Sequence, residues 1–211
     1  MQILTVLILE IVLFVYAWRK GFCFLEGFIA LNLIAVLLTS QVETDYLFGV
    51  SNAGSLFYGS LLSVIALIAS RKFGKPALLE TLSLTLFITL GLTAIRFFTI
   101  AFNTVNPENE MVRAYQIVMD SMLNTLPGSL IAFTSATLII GFGFHFLKWH
   151  RSVIYLVFLP LAEFVDSFVF FFLLWEDWNK FTEFFAVGFA VKCLIHLAFL
   201  PVFLWLTQDE T

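Results

Sequence analysis

The chain has 211 residues, of which 61% are hydrophobic and only 12% charged, with 27 phenylalanines and a formal net charge of −4. A soluble domain carries about 25% charged residues, so this composition excludes a water-exposed globule and fits an integral-membrane protein whose apolar runs recur along its whole length. The acidic balance and the lack of a basic cluster exclude nucleic acid as a partner. A helix needs about 20 apolar residues to cross a hydrocarbon core about 30 Å thick. Seven stretches qualify in chain order: 2–18, 21–40, 51–70, 77–103, 122–147, 152–175 and 182–206. They predict an all-α, polytopic transmembrane helix bundle forming one integral-membrane domain over residues 1–211. The first stretch has no basic segment before it and no small-residue cleavage pattern after it, so it reads as a short span and not as a removed signal peptide. The longest connection, 104–121, contains "NTVNPENE" and is expected to hold at most a short surface helix.

Charge sets the expected orientation. The connections at 19–20, 71–76 and 148–151 hold Arg19, Lys20, Arg71, Lys72, Lys75, Lys148 and Arg151 and no acid. The alternate connections hold Glu43, Asp45, Glu108, Glu110, Asp120, Glu176 and Asp177, against Arg113 and Lys180 alone. Basic residues are retained on the cytoplasmic side. The N-terminus is therefore expected outside and the C-terminus, "TQDET", inside. The regular alternation supports seven spans, because a missed or false helix would scramble it.

The stretch "LAEFVDSFVFFFLLW" (161–175) places Glu163 and Asp166 inside an otherwise apolar run. A lone charge at the bilayer centre costs about 2.5–3.5 kcal/mol on insertion scales. The sixth and seventh spans run antiparallel through the turn around Asn179. Asp166 and Lys192 lie equally far from that turn, and Glu163 and His196 nearly so, which at 1.5 Å per residue puts each pair at a shared depth. Spacings of three and four residues keep both members of each helix on one face. The pattern predicts a two-rung polar ladder, Asp166–Lys192 and Glu163–His196. Its bland reading is an ion pair that locks two helices; its functional reading is a polar substrate site, with His196 beside Glu163 as a proton-linked switch.

Other polar positions carry weaker signals. Arg96 snorkels near a span end, Glu10 faces a neighbouring helix, and Glu26 and Glu183 reach water. Pro160 and Pro201 loosen their helices and free carbonyls locally. In "PGSLIAFTSAT" (127–137), Gly128, Ser129, Ala132 and Ala136 have the spacing of a close helix contact. In "VSNAGSLFYGS" (50–60), Asn52, Ser55 and Ser60 either cap and pack the helix or line the mouth of a site. Cys23 and Cys193 have neither disulfide nor metal-ligand spacing and read as packing residues. No Walker loop, metal-ligand pair or supported Ser-His-Asp arrangement is present, so no cofactor, metal or catalytic residue is expected. A hydrolase built on Glu163 and His196 is the least favoured alternative.

Four stretches together resemble the VUT family, the queuosine-precursor transporters: "SNAGSLFYGSLLSVIALIASRKFGKPA" (51–77), "GSLIAFTSATLIIGFGF" (128–144), "EFVDSFVFFFLLW" (163–175) and "VKCLIHLAFLPVF" (191–203). The resemblance implies a six-helix core like that of vitamin-uptake S-components, with the first span as an extra N-terminal helix, in a bacterial inner membrane. It also implies import of a purine-like 7-deazaguanine. Asp166 is the position it carries over first and Lys192 second. The chain departs from the family pattern at Leu67, Thr137, Ile140 and Asn124, where the family places polar groups. The leading expectation is thus a transporter or substrate-binding membrane subunit, with Asp166, Glu163, Lys192, His196, Asn52 and Ser55 lining the substrate site. Asp166 and Glu163 accept hydrogen bonds, Lys192 and His196 balance charge, Asn52 and Ser55 contribute from the third helix, and Phe side chains stack. The expected partners are the lipid bilayer and the small molecule. The alternative is a structural or assembly subunit that binds other membrane subunits on a decayed transporter fold; a sensor module would need a signalling domain that the chain does not show.

Overall fold

A computed structural model describes residues 2–39, 43–46, 49–70, 73–103, 110–147, 149–174 and 178–208. Its helices in chain order are α1 (Gln2–Lys20), α2 (Phe22–Thr39), α3 (Gly54–Ala69), α4 (Gly74–Asn103), α5 (Glu110–Phe146), α6 (Arg151–Leu174) and α7 (Trp178–Leu206). Between α2 and α3 an antiparallel hairpin, β1 (Glu43–Tyr46) and β2 (Gly49–Asn52), pairs Glu43 with Asn52 and Tyr46 with Gly49. Helices α2, α4, α5, α6 and α7 are each long and apolar enough to cross a membrane. The molecule is a multi-pass helical membrane bundle carrying one small hairpin.

Helix α3 is the hub. Its 16 residues span about 24 Å at 1.5 Å per residue, less than a core about 30 Å thick. A short helix is tolerated here because its neighbours enclose it: every residue except Phe57 is buried. Its sequence prepares a close contact, since Ser55, Gly59 and Ser63 recur every fourth position as a small-residue stripe. Helix α7 lies in that stripe. A Cβ at Gly59 would stand 3.1 Å from Ile195 Cδ1 and 3.2 Å from Lys192 Cα, so the two backbones nearly touch there.

A second lock joins α6 and α7 on their outer side. Phe164, Phe168 and Phe172 stack along α6, and Phe181, Phe185 and Phe189 stack along α7, each one turn apart. Rings of the two rows meet edge to face at 84° to 90°, an arrangement worth about 0.5–1.5 kcal/mol per pair beyond its buried area. The repeat of four residues in both rows fixes the register of the two helices.

Three sequence expectations change. The third helix does not begin at residue 51: Ser51 and Asn52 belong to β2, and the helix starts at Gly54. Asn52 Oδ1 accepts the backbone N–H of Ser55 at 3.0 Å and its hydroxyl at 2.9 Å, so this side chain caps the helix from outside it. The segment 104–121 is not mainly loop, because α5 already starts at Glu110 and runs on into the apolar stretch from Leu126. The hairpin itself replaces an expected connection. Gly49 has φ 147°, and a Cβ there would meet Val187 Cγ2 at 2.7 Å, so only glycine fits that turn.

Arg19, Lys20, Lys75 and Arg151 gather at one end of the bundle. The first three lie over the rings of Trp205, Tyr16 and Phe146, and the Arg151 guanidinium donates to the Thr207 carbonyl. Arg71, Lys72, Glu108, Lys148, Glu176 and Asp177 lie outside the described residues, as do the side chains of Arg96, Glu110, Arg113, Asp120 and Asn124.

Two outcomes follow from this packing. Gly59→Val should force α3 and α7 apart and cost about 1–3 kcal/mol, roughly 2–10 °C of thermal midpoint for a chain of this size; an unchanged midpoint by intrinsic tryptophan fluorescence would contradict the contact. Tyr46 OH donates to the Asn52 carbonyl at 3.1 Å, and burial pushes its phenol up to about 12. Its support for the hairpin is full below the ordinary tyrosine value of about 10 and is lost as pH rises through about 12. A tyrosinate absorbance titration of wild type minus Tyr46→Phe should therefore show a step near 12, whereas a step near the ordinary value would mean an open hairpin.

Candidate functional site

Helix α6 presents Glu163, Asp166 and Ser167 on one side, because spacings of three and four residues return to the same face. Helix α7 presents Lys192 and His196 in the same way. The close contact with α3 then removes all of them from water: Glu163 is 0% exposed, Asp166 2%, and Lys192 and His196 3% each. Buried charges survive only when paired, and the geometry supplies the pairs. The Lys192 ammonium stands 2.5 Å from Asp166 Oδ2, 2.9 Å from Ser167 Oγ and 3.6 Å from Glu163 Oε2. It also rests 4.5 Å from the centroid of the Tyr58 ring on α3, a favourable position for a desolvated cation. His196 Nε2 lies 3.0 Å from both Glu163 Oε1 and the Gly59 carbonyl. Two acceptors around one nitrogen assign the hydrogen to Nε2. The structure thus brings Asp166 to Lys192 and Glu163 to His196, and Lys192 braces the two rungs.

The cluster still holds unused hydrogen-bonding capacity. Among the described residues, Asp166 Oδ1, the Tyr58 hydroxyl and His196 Nδ1 are buried with no hydrogen-bond partner, and Glu163 Oε2 has only the Lys192 ammonium at 3.6 Å. Buried polar atoms are nearly always paired, so these set the cluster apart from a fully satisfied helix lock. Asp166, Lys192 and Tyr58 form one wall of a cavity closed by Phe170, Phe171 and Val36, with Asn52, Gly54, Ser55 and Ser129 completing it. The arrangement is an anionic acceptor facing aromatic rings. Its volume is about 20 Å³, room for roughly one water, against ~300–1,000 Å³ for ligand pockets. The chamber is shut in this conformation.

Asn52 and Ser55 both reach this cavity, Asn52 from β2 and not from α3. Leu67, Thr137 and Ile140 are wholly buried but do not line it; Thr137 Oγ1 donates to the Phe133 carbonyl one turn back. Gly128 packs on α6, where its Cβ would meet Leu173 at 3.6 Å. Glu10 is buried on α1, away from the cavity, whereas Glu26 is half-buried and Glu183 exposed. Sequence reasoning missed Tyr58, Ser167 and Gly188. Ser167 lies one turn after Glu163 and Tyr58 three residues after Ser55, so helical spacing contained both signals. Gly188 gave none: its importance is that a Cβ would strike Ser51 Oγ at 2.9 Å and Ser55 Oγ at 3.1 Å.

A profile of the family described as "Putative vitamin uptake transporter" matches residues 52–206, a stretch that runs from Asn52 to beyond His196. No curated protein and no solved structure matches the chain.

Lys192→Met leaves two buried carboxylates without their cation. It should cost about 3–5 kcal/mol, and the triple variant Glu163→Gln/Asp166→Asn/Lys192→Met should recover most of that. Thermal denaturation in detergent measures both; equal losses in the single and triple variants would show that the pairing is not what Lys192 contributes.

Proposed function

This chain belongs to the putative vitamin uptake transporter family, and from that premise we propose that it imports a flat, purine-like molecule, a 7-deazaguanine precursor of queuosine, through the chamber beside Asp166. The single observation that carries the reading is Asp166 itself. One oxygen is fixed by Lys192 and the other, Oδ1, is buried without a partner on the wall of an aromatic-lined cavity. A guanine-like edge offers adjacent N–H donors, which a carboxylate accepts well, and Phe170, Phe171 and Tyr58 offer faces for the ring. Asn52 and Ser55 contribute polar contacts at the hairpin end, while Lys192 sets the charge of the wall, with Glu163 and His196 behind it and outside the lining. Such transport belongs to no enzyme class, and the chemistry is recognition, not bond-making.

In this reading residues 1–211 are one membrane domain with seven spans, α1 being added to a six-helix core. The N-terminus faces outside and the C-terminus inside, in a bacterial inner membrane, because the basic residues gather at one end. Loading requires the aromatic wall to move away from Asp166 and enlarge the chamber. The shut chamber favours a second reading, an assembly subunit of a larger membrane complex in which the ladder only locks helices. That reading expects co-purification with other membrane subunits in fixed ratio and no small-molecule binding.

The test is binding and uptake of tritiated 7-deazaguanine by purified protein in liposomes. Wild type should show saturable binding. Asp166→Asn should weaken it roughly 10–100-fold, the loss of a charge-assisted hydrogen bond worth about 1.5–3 kcal/mol. Binding untouched by that substitution would remove Asp166 from the site, and no binding with fixed partner subunits would favour the assembly reading.

A further inference from the structure

Uptake needs a driving force, and the buried cluster holds an excess of acid over ammonium that points to one. Two buried carboxylates, Glu163 and Asp166, face one ammonium, Lys192, with His196 beside them. All four are at least nine-tenths buried, and an ionised carboxylate in excess of the ammonium is expensive inside the bundle. A single added proton offsets that excess. The Glu163–His196 rung has a place for that proton: His196 Nδ1 lacks a hydrogen-bond partner among the described residues, while Nε2 is already committed between Glu163 Oε1 and the Gly59 carbonyl at 3.0 Å each.

We propose that the Glu163–His196 rung binds the proton that drives uptake, so that the chain is a proton–substrate symporter; this rests on the transport reading above. The charged and titratable groups facing the rung are Asp166 and Tyr155 on α6, Lys192 and Cys193 on α7, and Tyr58 on α3. Lys192 links proton to substrate, because it lies 2.5 Å from Asp166 and 3.6 Å from Glu163. With the rung protonated, Glu163 attracts the ammonium less, and Lys192 stays on Asp166 and holds that carboxylate in place for the substrate. With the proton gone, Glu163 competes for the same ammonium and the Asp166 arrangement loosens. Each cycle takes one proton and one substrate from the outer water and releases both to the inner water, with no covalent bond changed in either.

The experiment is uptake of tritiated 7-deazaguanine into liposomes holding the wild-type protein and an entrapped pH dye. An inside-alkaline gradient of one pH unit should concentrate the label up to about tenfold, the limit for one proton per substrate, and adding unlabelled 7-deazaguanine without a gradient should acidify the lumen. In Glu163→Gln any residual uptake should be the same with and without the gradient. Wild-type uptake that merely equilibrates, with no gradient response and no lumen acidification, overturns the proton proposal while leaving the transport reading standing. No binding and no uptake under either condition overturns the transport reading, and the proton proposal with it.

Discussion

The ammonium of Lys192 holds two carboxylates of α6 inside an apolar bundle, and most of the surrounding structure serves to keep it there. Desolvating three charges is tolerable only if the pairs are close and the remaining donors are used. The small stripe on α3 lets α7 approach far enough to place the ammonium on the Tyr58 ring and beside Asp166, Ser167 and Glu163. The phenylalanine rows outside the same two helices fix their register, so the pairs cannot slip by a turn. Inner ion pairs and outer ring contacts are two expressions of one antiparallel alignment.

The same cluster braces two helices and leaves some of its hydrogen-bonding atoms unpaired. A ladder that served only to join helices would use its hydrogen-bonding atoms up, as a fully connected buried network does. Here Oδ1 of Asp166, the Tyr58 hydroxyl and Nδ1 of His196 are left over, and Asp166 and Tyr58 lie on the cavity wall. Its small volume means that helix packing and ligand access compete for the same space.

The match to the vitamin uptake transporter family covers residues 52–206, from Asn52 on β2 to Leu206 at the end of α7. Leu67, Thr137 and Ile140 sit in the packed interior and not on the cavity wall. Leu67 and Ile140 are apolar, and the Thr137 hydroxyl is satisfied by the Phe133 carbonyl, so none of the three leaves a polar group unpaired in the core. The polar groups on the cavity wall come from β2, α3, α5, α6 and α7.

Much of this was legible in the sequence because it follows from helical geometry alone. Runs of about 20 apolar residues located the long spans, and the distances of Glu163, Asp166, Lys192 and His196 from one turn gave both their faces and their depths, since rise and pitch are constant along a helix. What the sequence could not decide depends on contacts between distant segments. The choice of hairpin over loop at 43–52 turns on Gly49 meeting Val187, and the role of Asn52 as a cap on its hydrogen bonds to Ser55. The depth of Tyr58 beneath Lys192 and the volume of the chamber depend on how closely α3 and α7 approach. Periodicity places a residue on a face, but only packing sets what lies opposite it and how much space is left between.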